Sequence, residues 1–193
     1  MNEPESIRRS PELMDRTETA LLVIDVQQRL LSAQPKAQRV VWNVGRLLRG
    51  AKALGVTTAA TEQVPEKLGA TDESLQPHLG SVYQKSSFSA AECTALLDEW
   101  RREGKRHVLI AGIETHVCVL QSALDLMAEG FEVKIAADAV GSRFAHDHKV
   151  ALRRLESSGV IVTTTEAALF EWCGTSSDDA FRTISALAKE TLD

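Results

Sequence analysis

The chain has 193 residues, 44% of them hydrophobic and 25% charged, with a formal net charge of −5. Such a length and apolar share suffice for one well-buried domain. An acidic balance without a Lys/Arg cluster argues against nucleic acid or an anionic membrane as the main partner, because both call for concentrated basic charge. No apolar run approaches the roughly 20 residues of a membrane-spanning helix. Three cysteines, Cys93, Cys118 and Cys173, show no CxxC spacing, and the start lacks the basic and apolar regions of a secretory leader. Both features read as a reduced, cytoplasmic protein whose partner is a small molecule or another protein.

In chain order, residues 1–16 are polar and read as a mobile arm, or as a segment that packs on a neighbour, ahead of a single domain over 17–193. Thr19 to Val26 is a continuous apolar run carrying the carboxylate Asp25, the pattern of a central parallel strand buried on both faces. Lys36 to Leu54 repeats apolar residues at helical spacing through Val40, Val44, Leu47, Leu48 and Ala51, and Gly55 closes it. Val56 to Thr61 reads as a second strand, residues 64–80 as a long loop of the kind that covers a site, and Val82 to Lys85 as a short third strand. A helix over Ala90–Gly104 and a strand over His107–Ile113 follow, then a helix over Thr115–Gly130 and a strand over Val133–Ala137. The chain closes with a helix over Phe144–Ser157, a strand over Val160–Thr163, and helices near 166–172 and 177–189. Repeated βα units predict an α/β fold: a three-layer α/β/α sandwich around a mainly parallel, Rossmann-like sheet with right-handed crossovers.

In such sheets ligands bind beyond the carboxyl ends of the strands, where strand order reverses. Asp25, Lys85 and the turn from Ile113 to Cys118 all fall at such ends. Cys118 opens a helix, where unpaired N–H groups and the helix dipole stabilise thiolate over thiol. Taken alone it reads rather as a buried packing cysteine, as Cys93 and Cys173 do. Asp25 follows Leu22-Val-Ile24, so an unpaired carboxylate there would carry a large desolvation cost and a cationic partner is implied. Lys85, taken alone, is an ordinary edge-strand lysine. His146 and His148 stand at i, i+2 on a helix, share no face and read as exposed. His116 is a weaker partner for Cys118 than the Asp and Lys pairing. The turn after the first strand, Asp25-Val-Gln-Gln-Arg29, carries neither GxGxxG nor a P-loop, which counts against a dinucleotide enzyme.

With these pieces in place the chain resembles the isochorismatase-like cysteine hydrolases. The matching segments are Leu22-Val-Ile-Asp-Val-Gln27, Gln84-Lys-Ser-Ser-Phe-Ser-Ala90, Ala111-Gly-Ile-Glu-Thr-His-Val-Cys-Val119 and Asp138-Ala-Val-Gly-Ser-Arg143. Thr61 to Thr71 looks most like the short isochorismatase-domain branch and less like the nicotinamidases. The resemblance implies a catalytic triad of Asp25, Lys85 and Cys118, a non-proline cis peptide between Ile113 and Glu114, and an oxyanion hole from the N–H groups of Glu114 and Cys118. It also implies a homo-oligomer, to which Phe170, Trp172 and Phe181 near the C-terminus add a surface that one domain need not bury.

The resemblance further implies acyl chemistry on a small amide or related compound through a Cys thioester, with no cofactor. Thr61-Glu-Gln63 lacks the His of the nicotinamidase metal cluster, so no metal is expected. Gln27, Gln63, Tyr83, Phe88 and Val117 are candidate pocket walls because they neighbour the motifs. Two other readings remain open: a vinyl ether hydrolase of the isochorismatase type, and a non-catalytic binding or scaffold protein that keeps the fold. A flavodoxin-like carrier would betray itself by visible absorbance.

Overall fold

The computed structural model describes residues 9–192. Its sheet has six strands in the order β3-β2-β1-β4-β5-β6, all parallel: β1 (Thr19–Ile24), β2 (Thr57–Gln63), β3 (Ser81–Lys85), β4 (His107–Ile113), β5 (Glu132–Gly141) and β6 (Ile161–Thr163). Leu21 and Val23 of β1 enter one apolar cluster, and Ala20, Leu22 and Ile24 the other. Both faces are covered, which is why β1 reads as unbroken apolar sequence rather than an alternation.

After the short α1 (Gln28–Leu31), one face carries α2 (Ala37–Leu54), α7 (Thr165–Cys173) and α8 (Phe181–Ala188); the other carries α4 (Thr94–Arg102), α5 (Leu120–Ala128) and α6 (Ala145–Ser157). The fold is therefore the expected three-layer α/β/α arrangement. Gly55 closes α2 at φ 70°, a left-handed conformation that glycine adopts without steric cost. Arg46 of α2, 4% exposed, donates to the carbonyls of Leu187 and Ala188 at the end of α8 and to Asn43.

The structure departs from the sequence reading at four places. Residues 1–8 lie outside the described residues, but 9–16 are not a free arm. Met14 is fully buried, its N–H donates to Glu171, Arg16 pairs with Asp178 at 2.6 Å, and Lys134 donates to the carbonyl of Glu12. One methionine in a polar stretch is enough to dock it. Trp172 is core and Phe181 is partly buried, so of the three C-terminal aromatics only Phe170 is exposed. Strand β5 runs on to Gly141 because its pairing with β4 shifts register between Ile110 and Gly112 and then resumes with Val140. The loop over 64–80 holds two short helical pieces, α3 (Pro65–Leu68) and a 3₁₀ turn at Gln76–His78, and it is pinned rather than free. Thr71 bridges to Gln27 and donates through N–H and hydroxyl to Glu62.

Candidate active site

The strand order reverses beside β1: β2 and β3 extend the sheet on one side of it, β4 on the other. The carboxyl ends of β1 and β4 thus form the switch point at which open α/β sheets bind ligands. Gly112 permits this juncture. A Cβ there would meet the carbonyl oxygen of Ile24 at 2.1 Å, so only glycine lets β4 run this close beneath the end of β1.

Asp25 stands at that end with φ 51°, a left-handed backbone that Asp tolerates better than most residues. Its N–H donates to the Thr61 carbonyl at 3.1 Å, and Thr61 Oγ1 donates to Oδ1 at 2.8 Å. Lys85 Nζ donates to Oδ2 at 2.7 Å, and both side chains are fully buried. The ammonium also donates to Gln63 Oε1 at 2.6 Å and to the carbonyls of Ser87 and Phe88 at 3.2 Å. A buried ion pair overcomes its desolvation only when its remaining hydrogen-bonding capacity is met, and here it is. Strand register makes the arrangement possible: Ile24 pairs with Thr61 and Gln63 with Lys85, so three adjacent strands end level.

Cys118 lies in a π-helical turn, Thr115–Val119, that connects β4 to α5. The Glu114 carbonyl accepts from the N–H groups of both Val117 and Val119, which winds the turn wide. The Ile113–Glu114 peptide bond is cis. Cys118 is 7% exposed, and the Asp25 carboxylate and the Lys85 ammonium both act on its thiol. Here the sequence reading needs correction. Burial, followed by the Asp25 charge, pushes the Cys118 thiol up to about 12, and Lys85 only partly opposes them. The resting group is a thiol aimed at a carboxylate, not a standing thiolate. Cys93, in the cluster beneath α4, is also raised by burial, and all three cysteines are free and buried.

Glu114 is fixed by its side chain. Burial pushes its carboxyl up, but hydrogen bonds from Gln34 Nε2 (2.9 Å), the Arg143 N–H (3.0 Å) and the Arg143 guanidinium (3.1 Å) outweigh it and hold it below the usual range. Nothing local in the sequence links positions 34, 114 and 143. Thr61 and Gln63 as partners of Asp25 and Lys85 were similarly invisible, although Gln63 was named as a pocket wall.

The remaining pocket expectations fare unevenly. Gln27 is fully buried with its amide committed to the backbone: it donates to the Gln63 and Gly69 carbonyls and accepts from the Gln63 N–H. It is a clamp, not a wall. Tyr83 turns to α4, where its hydroxyl donates to Glu99 at 2.8 Å. Phe88 is 52% exposed beside Lys85, and Val117 is half-buried against the α4–α5 side. His116 bonds Ser142 rather than Cys118, and His148 is not simply exposed, since its Nδ1 shares a 2.9 Å hydrogen bond with Thr115. Among the described residues no cluster of three or more His, Cys, Asp or Glu is placed to hold a metal ion, and no helix is long and apolar enough to cross a membrane.

Known proteins resemble this chain over most of its length. Residues 19–167 match the isochorismatase domain. The secreted isochorismatase effector Isc1 of Phytophthora sojae is 32% identical over 180 residues, covering 90% of this chain and 86% of that protein. Isochorismatase domain-containing protein 1 of Salmo salar is 37% identical over 174 residues, or 89% of this chain, which spans 61% of that relative's length. Among solved structures, the MAR1 ribonuclease from Caenorhabditis elegans matches with a TM-score of 0.88 at 31% identity, over 94% of each chain.

Proposed function

The chain belongs to the isochorismatase family, a family of hydrolases, and from that premise we propose that it is a cysteine hydrolase of small amides or related acyl compounds. One observation carries the reading: a single buried carboxylate, Asp25, is bonded to the Lys85 ammonium and acts on the Cys118 thiol. A thiol held near 12 is a poor nucleophile by itself, so its proton leaves during attack, not before it.

In the proposed cycle Asp25 accepts the thiol proton while Cys118 Sγ bonds to the substrate carbonyl carbon. Lys85 balances the charge that moves onto sulfur. The N–H groups of Glu114 and Cys118 are the proposed donors to the tetrahedral oxyanion; loss of one such donor costs about 2.7–4 kcal/mol in comparable sites. Protonated Asp25 returns its proton to the departing amine as the carbon–nitrogen bond breaks and a thioester forms. Water then attacks the thioester, giving its proton to Asp25, and Cys118 leaves with that proton as a thiol. No step calls for a cofactor or metal. Assembly into a homo-oligomer and residence in a reducing compartment such as the cytoplasm complete the proposal; the three free thiols accord with the latter.

The test is a screen of amides, carbamoyl compounds, isochorismate and RNA against the wild-type protein and Cys118→Ala in parallel. Turnover of an amide or carbamoyl compound that Cys118→Ala abolishes supports the reading. Isochorismate cleavage that persists in Cys118→Ala would favour vinyl ether hydrolysis, RNA cleavage would extend to this chain the activity named for the worm relative, and no turnover at all would favour a binding protein.

A further inference from the structure

A second site opens on the same edge of the sheet, beside Gln34. A cavity of about 50 Å³ lies between the first turn of α2 and the carboxyl end of β5, lined by Gln34, Lys36, Arg39, Gly141, Ser142 and His148. Gln34 is 92% buried, and its amide orientation is fixed: Nε2 donates to the Glu114 carboxylate, a group that only accepts. Its Oε1 is left without a hydrogen-bond partner among the described residues. A methyl group built on Gly141 would sit 3.7 Å from that oxygen, so Oε1 is turned toward the Gly141 wall of the cavity. Arg39 Nε is likewise buried and unpartnered among the described residues.

The charge around this space is one-sided. Lys36 and Arg39 both act on His148, which burial and these two cations keep neutral, and no acidic side chain lines the cavity. A buried acceptor and a buried cationic donor, each unmet, select a ligand that supplies one N–H and one anionic oxygen. An anion alone would leave Gln34 Oε1 unsatisfied, and a neutral amide would leave the cations unanswered. We propose that this cavity binds a small amido-carboxylate, its carboxylate toward Arg39 and Lys36 and its amide N–H toward Gln34. Gly141 keeps the space open, because a Cβ there would stand 3.0 Å from Val40. The proposal does not depend on Cys118 being a nucleophile.

The test uses full-length protein carrying isotope-labelled histidine, titrated with oxamate, acetate or acetamide at constant pH and ionic strength while the His148 ring resonance is followed. Oxamate is expected to shift it saturably, acetate more weakly, and acetamide not at all. Removing the charged donor in Arg39→Gln is expected to weaken oxamate by about tenfold or more. Ala145→Leu, at an exposed position on the cavity rim, is expected to block it. Cys118→Ala is expected to bind oxamate as wild type does; loss of binding there would place the ligand at the thiol instead and overturn the assignment. No saturable shift, equal affinity for acetamide, or undiminished affinity in both Arg39→Gln and Ala145→Leu would each overturn it as well.

Discussion

Lys85 and Lys134 are both buried ammonium groups on parallel strands, yet they keep different company. Lys134, near the amino end of β5, donates to the peptide carbonyl of Glu12 and so pegs the segment before β1 onto the sheet. Lys85, at the carboxyl end of β3, faces a carboxylate that also acts on a thiol. A carbonyl orients a cation but cannot exchange a proton with it. A carboxylate beside an ammonium and a thiol can hold or release one, and that difference separates a fastening from the proposed reaction centre.

The sharpest way to break this contrast is through Asp25. Asp25→Asn removes the proposed base and is expected to lower turnover of whatever substrate the screen identifies by about 10²- to 10⁴-fold, while Lys134→Met leaves the rate near wild type. Comparable losses in both would end the distinction. Lys85→Met strands the Asp25 carboxylate in the interior and is expected to cost about 3–5 kcal/mol in urea unfolding, the usual result of removing one partner from a buried ion pair.

Alkaline pH probes the thiol. Its folded value of about 12 stands above the ordinary 9.0, so the unfolded chain loses this proton first and the native state binds more protons between those values. Stability from this group is therefore complete below pH 9 and declines as pH rises toward 12, by roughly 1.4 kcal/mol at about pH 10. The gap in stability between wild type and Cys118→Ala should narrow by that amount on going from pH 7 to pH 10; a constant gap would show the thiol to be unperturbed. The smallest effect belongs to Lys134→Met, expected to change stability by about 1 kcal/mol or less because an apolar side chain can replace a buried charge at little net cost. Its signature is faster amide exchange at 10–16, with the amides around Cys118 unaffected.

What the sequence disclosed follows the range of its signals. Apolar runs that end in a reactive residue marked Asp25, Lys85 and the turn to Cys118, because strand ends are written in consecutive residues. The helix over 37–54 was legible from its 3.6-residue period and its closing glycine. Groups that meet across 36 or 80 positions, as Thr61 does with Asp25 or Gln34 with Glu114, leave no periodic trace, since each is one polar residue among many. The docking of Met14 was hidden for the same reason, one apolar side chain in a polar segment. The state of the thiol was misjudged on physical grounds: a helix terminus and a lysine were credited, while burial and the adjacent carboxylate prove stronger. Strand β5 continues past Ala137 although Asp138 is a polar residue, because the Asp138 side chain accepts from Thr165 at the start of α7 while its backbone stays in the strand.

Arg46 gives the order of assembly a constraint. Its guanidinium is buried in α2, yet two of its acceptors, the carbonyls of Leu187 and Ala188, come from the last turn of α8 some 140 positions later. Until that turn arrives, this face of the sheet holds a cation with Asn43 as its acceptor. A chain shortened before Leu187 would thus lose more than a terminal helix: a buried cation beside its largest apolar cluster would lose two of its three acceptors. The end of α8 acts as a latch, and the layer beneath α2 closes only when that turn is in place.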